Sequence, residues 1–330
     1  MLCLALLSGF RQLPRPPNLA TRAVAPRVSL ATPNEATLNC LVLVSYDGSF
    51  SKGSCYNRND PVQAGQPNAT VEGLLEVALD AVLPHPNYIC LASRTDKGVS
   101  ARMNYGVGAL AGPRAWKMVT GIYRNEFLRF GLRLCDLRPL PQKFRVRWPS
   151  RGMVCDAMTE RKRYEYFITH GGRAPECSHD GSEDCQPWHL KEVLNVSAMQ
   201  ESAGAFVGEH DFHTFTSQHG LQRNATRRIL HVGVEKVAAA TNTLPELLCV
   251  SILGESFLYR MVRYIVFALV LAGRHRPGAT AAGYRRLLAP SASRSAKRKQ
   301  KQQLGLGPAP ARGLQLAEVY LSRRMDMGVS

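Results

Sequence analysis

Apolar positions along the chain follow two periods in alternation. Residues 38–45, LNCLVLVS, form a continuous apolar run that stops at Tyr46-Asp47-Gly48, where Asp-Gly marks a turn, and the run predicts a buried strand. A turn-rich stretch leads to Pro67. Val71, Leu74, Leu75, Ala78, Leu79 and Val82 then recur at i, i+3, i+4, i+7, i+8 and i+11, the stripe of a helix lying on a sheet. Residues 88–93 read as a short strand running straight into Arg94-Thr95-Asp96-Lys97-Gly98, so a charged loop caps a strand end, a common place for chemistry. Residues 104–110 predict a strand and 114–130 a helix weakened by Gly121, after which Pro139, Pro141 and Pro149 punctuate a connection. From Arg161 a second set begins, in which Tyr164, Tyr166 and Ile168 alternate with Glu165 and Phe167 as in a strand with one face more buried. Helices over 189–205 and 256–272 and strands over 230–237 and 247–253 complete it.

Strands and helices thus alternate in two unequal halves, which predicts an α+β protein with two lobes. A length of 330 residues suits two domains. The expected division is a leader or basic tail over 1–34, an N-terminal lobe over 35–150 and a C-terminal lobe over 151–330 with inserts near 174–187 and 290–306. Both inserts are expected to be solvated loops. The first is acidic, with Glu176, Asp180, Glu183 and Asp184, while the second carries Arg294, Lys297, Arg298, Lys299 and Lys301 and suits a nuclear address or an RNA contact as well. Residues 1–34 contain Arg11, Arg15, Arg22 and Arg27 with no acid before Glu35, behind a short apolar start. That composition reads as a transit peptide and points to mitochondrion or plastid, with nucleus or cytoplasm as alternatives.

Charge narrows the partners. Against 42 Lys plus Arg stand 25 Asp plus Glu, a formal net charge of +17 that suggests a polyanionic partner. Nine cysteines without a C-x-x-C pair argue against a disulfide framework. The most apolar stretch, residues 257–273, is interrupted by Arg260 and Arg263 and falls short of the roughly 20 residues a membrane span needs. Cys177, His179, Cys185 and His189 lack the spacing of a zinc finger or ribbon, and the His210, Asp211, His213 cluster belongs to no H-E-x-x-H motif. No P-loop, G-x-G-x-x-G or G-x-S-x-G occurs, so nucleotide hydrolysis, nicotinamide chemistry and serine hydrolysis lose their best sequence support. What remains is Asp96, a carboxylate between Arg94 and Lys97 that suits a nucleophile or general base. The alternative is an Asp bonding its own backbone in a turn before Gly98.

Residues 93–101, SRTDKGVSA, resemble the signature loop R-T-D-x-G-V-[HS]-A of the TruA-type tRNA pseudouridine synthases. Further segments match that family in order. Arg163-Tyr164-Glu165-Tyr166 resembles its R-x-Y-x-Y-type strand and GEHDFHTF, residues 208–215, its G-x-H-[DN]-F-x-x-F segment. FLYRMVRYI, residues 257–265, resembles its F-L-x-x-M-V-R-x-I helix, and APARGLQLAEVY, residues 309–320, its last strand. The motifs are most similar to the eukaryotic branch. Two departures stand out: Ser54, Cys55 and Tyr56 do not supply the glutamine usual after Tyr-x-Gly and Gly, and Tyr264 replaces the asparagine common after the helix arginine.

The resemblance implies the pseudouridine synthase fold, two lobes sharing a mixed, mainly antiparallel sheet with helices behind and a basic cleft in front. It implies an isomerase of tRNA, acting most naturally in the anticodon stem-loop region, with other structured RNAs open, no cofactor, no metal and no membrane. Matched residue by residue, Asp96 is the catalytic carboxylate, Tyr164 stacks on the uracil and can help remove its C5 proton, and Arg263 pairs with Asp96. Arg94, Lys97, Arg102 and Arg163 hold the RNA, and Leu314 lines the base pocket. Asp96 can act as nucleophile or as base, and the chain can be monomer or dimer. The competing classes are an RNA-binding protein on the same fold without catalysis, and a generic basic protein of ribosome or nucleoid, which leaves the loop at Asp96 unexplained.

Overall fold

Strand β1, Thr37–Tyr46, forms from the first apolar run because Cys40, Val42 and Val44 alternate onto one buried face. The computed structural model describes residues 37–55, 70–80, 83, 87–111, 131–140, 159–172, 186–217, 224–237, 246–290 and 293–322. The chain divides into two compact units. Among the described residues, one takes in those up to Glu160 and from Glu318 onward, the other Arg161 to Ala317.

In the first unit β1 is followed by α1 (Val71–Asp80), β2 (Tyr88–Leu91), β3 (Ser100–Ala111) and β4 (Leu132–Pro139). Strands β4, β1 and β3 lie side by side, all antiparallel, and β2 pairs antiparallel with β3. Helix α1 buries Val71, Leu75 and Leu79 as its stripe predicts, but it buries Glu72 and Glu76 as well. Those carboxylates accept hydrogen bonds from the main chain of β2, Glu76 Oε1 from Ile89 N at 3.1 Å and Glu72 Oε1 from Leu91 N at 2.9 Å. The helix therefore satisfies the edge of β2 that faces away from β3.

The second unit holds most of β5 (Thr159–His170), then β6 (Trp188–Leu190), α2 (Val196–Ala203), β7 (Gly208–Asp211), β8 (Thr226–Val237), β9 (Glu246–Gly254), α3 (Met261–Gly273), α4 (Ala281–Leu288), α5 (Arg294–Leu304) and the start of β10 (Leu314–Leu321). Its strands run in the order β10-β5-β9-β8-β7, with β6 added in parallel to β5. The pairs β5–β9, β9–β8 and β8–β7 are antiparallel, so the chain is α+β with a mixed, mainly antiparallel arrangement. Helix α3 is apolar almost all round and is accordingly buried on nearly every side.

Several expected elements differ. The helix expected over 189–205 is only Val196–Ala203: Trp188, His189 and Leu190 join β5 as a strand, and Asn195 caps the helix by accepting from Ala198 N at 2.9 Å. The helix expected from residue 256 starts at Met261, because Arg260 adopts a left-handed conformation, φ 60°, that interrupts a helical start. Strand β4 replaces part of the expected connection before Pro139; a bulge between Leu43 and Val44 shifts its register and blurs its alternation. The basic insert near 290–306 contains α5, a helix and not a loop, closed by Ser293 at its start and by Gly305, φ 65°, at its end. The acidic insert at 174–187, the helix at 114–130 and the leader over 1–34 lie outside the described residues, save Gln186 and Pro187.

Candidate active site

The loop from Arg94 to Gly98 leaves β2 and enters β3, and backbone groups of Ser93, Thr95, Asp96 and Val99 are tied down around it. Ser93 N donates to Asn104 Oδ1 at 3.2 Å, and Asn104 Nδ2 donates to Ser93 O at 2.9 Å and to Tyr46 Oη at 3.1 Å. Tyr46 Oη also shares a hydrogen bond with Thr95 Oγ1 at 2.9 Å. Thr95 N donates to Ser54 Oγ at 2.7 Å, and Ser54 N donates back to Thr95 O at 3.1 Å. Val99 N closes the turn on Asp96 O at 3.1 Å. Ser54, Ser93, Thr95 and Asn104 are all buried, so these bonds form away from competing water.

Two glycines make room for this seat. A Cβ on Gly48 would stand 2.3 Å from the Val99 carbonyl carbon, so the turn after β1 meets the loop main chain to main chain. Gly53 has φ +112°, a conformation other residues rarely adopt, and it lies against Thr95 O and Lys97 N. Asp47 organises the turn by accepting from Ser49 N at 2.8 Å and Ser49 Oγ at 2.7 Å, while its own N–H donates to Gly131 O. The carbonyls of Gly53 and Ser54 accept from Val71 N and Glu72 N, so the first turn of α1 docks on the same segment. The result is a loop held by hydrogen bonds at Ser93, Thr95 and Val99 that carries a half-buried Asp96 between exposed Arg94 and Lys97 in the sequence, with exposed Arg102 two residues into β3.

The remaining predicted residues lie on the second unit. Tyr164 is buried on β5 opposite Ile252 of β9, its ring edge-on to Phe257 at 5.2 Å between centroids. Tyr166 is a core residue whose hydroxyl donates to Pro310 O at 2.8 Å. Arg163 is half-buried, with Nε 4.0 Å from Glu165 Oε1. Arg263, on α3, donates through Nε to Ala309 O at 2.6 Å, and Ala309 N donates to Arg263 O at 3.0 Å, which clamps the segment leading to β10. Leu314 is the buried first residue of β10, the neighbour of β5.

The GEHDFHTF segment, whose histidines raised the question of a metal, is a packing centre. Phe212 and Phe215 are fully buried, and Asp211 accepts from Lys297 Nζ at 2.8 Å and from His213 N at 3.0 Å. Burial pushes the Asp211 carboxyl up, but the Lys297 hydrogen bond and the His213 amide outweigh it and hold the group below the ordinary aspartate value. Of the four residues considered for zinc, only His189 is described, and its Nδ1 shares a hydrogen bond with Thr169 Oγ1 at 3.1 Å. Among the described residues no group of three or more His, Cys, Asp or Glu is placed to hold a metal, and no helix is long and apolar enough to cross a membrane. Sequence reading missed Tyr46, Ser54, Thr95 and Asn104 as the residues that position Asp96.

Residues 203–320 match the family described as tRNA pseudouridine synthase. Among curated relatives, the tRNA pseudouridine synthase A of Syntrophotalea carbinolica is 31% identical over 238 residues, 71% of this chain and 81% of that one. That of Geotalea daltonii is 28% identical over 75% of this chain and 91% of its own length, and that of Buchnera aphidicola 27% identical over 70% and 76%. The shared length, the family match and the loop built around Asp96 lead to one conclusion: the chain belongs to the TruA-type tRNA pseudouridine synthase family.

Proposed function

We propose that this chain isomerises uridine to pseudouridine in tRNA, at a position of the anticodon stem-loop, with Asp96 as the catalytic carboxylate. The observation that carries the reading is the seat of Asp96: the residues on either side are fixed by buried hydrogen bonds while its side chain stays partly open between two exposed cations. A carboxylate that must meet one sugar carbon gains most from such prior placement, since orientation costs are met before substrate arrives.

The reaction breaks the bond from uracil N1 to the sugar C1′, turns the base and joins C5 to the same carbon. The proton lost from C5 is balanced by one gained at N1, so nothing is oxidised or reduced. Asp96 can begin it by attacking C1′ or by removing the proton on the adjoining sugar carbon. The target uridine leaves its stack to be reached. Arg94, Lys97 and Arg102 supply phosphate contacts on the first unit. The roles of Tyr164 at the base, Arg163 at the backbone, Leu314 in the pocket and Arg263 as an active-site arginine rest on the motif resemblance.

Pseudouridine mapping of total tRNA incubated with wild type and with Asp96→Ala tests this. Conversion at a stem-loop uridine by wild type alone, with tRNA binding kept in the variant, is the expected result. Equal conversion by both proteins removes Asp96 from the chemistry, and no conversion by either, with tRNA still bound, makes the chain an RNA binder on an enzyme fold.

A further inference from the structure

Between Glu255 and Glu318 lie 62 consecutive residues without one Asp or Glu, carrying twelve Lys or Arg. Two of the helices in this stretch, α4 and α5, are tied together: Gln300 Nε2 donates to Gly283 O at 3.2 Å. Helix α5 has two faces. Lys297, 4% exposed, points inward to Asp211, and Lys301 lies 4.4 Å over the ring of Tyr264 and donates to Thr216 O at 3.4 Å. These inner lysines anchor the helix. On the outer face Ser295, Arg298, Lys299, Gln302 and Gln303 are exposed, and on α4 Arg285 and Arg286 are exposed as well.

A solvated helix face in a soluble protein ordinarily mixes both signs, which keeps the local field small. Here it carries one sign only, with amide and hydroxyl donors interleaved, on a helix whose other face is fixed in place. We propose that α4 and α5 form a docking surface for the phosphate backbone of RNA, made of residues other than those assigned to the chemistry, with Arg285, Arg286, Arg298 and Lys299 as its contacts. The proposal rests on the reading of the chain as a tRNA-modifying enzyme, since it takes tRNA as the ligand. Such a surface holds the substrate's register without reading its bases.

The test is binding of unmodified tRNA across a salt series, together with pseudouridine formation, for wild type and the variant R285Q/R286Q/R298Q/K299Q. R298Q/K299Q serves as a milder second variant, and thermal melting checks that both fold. Removing one phosphate-binding cation lowers the slope of log affinity against log salt by about 0.7–0.9, so the fourfold variant is expected to lose about 3 from the slope and at least tenfold in affinity at about 0.1 M salt. Turnover at saturating tRNA is expected to stay within about twofold of wild type. Unchanged slope and affinity in an active enzyme overturn this proposal alone and leave the surface to another acidic partner. A wild type that binds tRNA with the expected slope difference yet forms no pseudouridine overturns the enzymatic reading alone, and one that binds no tRNA overturns both.

Discussion

Tyr46 Oη is 2.9 Å from Thr95 Oγ1 and 3.1 Å from Asn104 Nδ2, so a single atom joins the end of β1 to the Asp96 loop and to β3. Tyr46→Phe keeps the ring and removes that junction. It is expected to cost about 1 kcal/mol of stability in urea unfolding, the ordinary worth of a hydrogen bond. Turnover should fall several-fold with tRNA affinity unchanged, because the loop loosens without losing a cation; a parallel loss of affinity would count against the assignment. Asp96 was legible in the sequence as a carboxylate between two cations inside a recognisable motif. Its seat was not, since Asn104 stands 11 residues from Ser93 and 58 from Tyr46, and Ser54 stands 41 from Thr95. Hydrogen bonds at that separation leave no periodic trace.

Elements with a clean hydrophobic period were legible, and those held by polar contacts were not. β5 and β9 bury alternate residues as their sequences suggest. Helix α5, RSAKRKQKQQL, has no apolar stripe, and its position depends on Lys297 with Asp211 and Lys301 with Tyr264, residues from a segment more than 30 positions away. Only the flanking Ser293 and Gly305, the stop signals of a helix, could have revealed it. Asp211→Asn leaves the Lys297 ammonium buried without its counter-charge and is expected to cost on the order of 3 kcal/mol, read by urea unfolding.

Lys301 adds a pH signature to the same helix. Burial pushes its ammonium down to about 8 from the ordinary lysine value of 10.5. Between those two values the folded chain has released a proton that the unfolded chain still holds, so this residue's contribution to stability rises as pH climbs from about 8 to 10.5. Melting temperatures of wild type and Lys301→Met across that range should show wild type gaining on the variant with rising pH. A constant difference would mean that the ammonium is not desolvated.

At the scale of the molecule, most of the net charge of +17 is concentrated in the 62 residues between Glu255 and Glu318. Association with tRNA is therefore expected to dominate the salt response. Raising monovalent salt about threefold should lower kcat/KM by roughly tenfold or more through lost counterion release, while kcat at saturating tRNA holds. Steady-state rates at two salt concentrations check this, and a fall in kcat itself would place the sensitive charges at the chemical step. The charge bias was plain in the composition; its distribution between anchoring and exposed faces needed the fold.

The turn after Tyr46 lacks the glutamine usual at this point in the family, yet the loop it supports is fully seated. Gly48 accounts for part of this, because at that point main chain rests on main chain and no side chain intervenes. A contact made of backbone depends on the identity of one residue, the glycine that admits it. Substitution at the positions around Gly48 therefore leaves the approach of the first strand to the Asp96 loop in place, whereas a side chain at Gly48 itself would push the two apart.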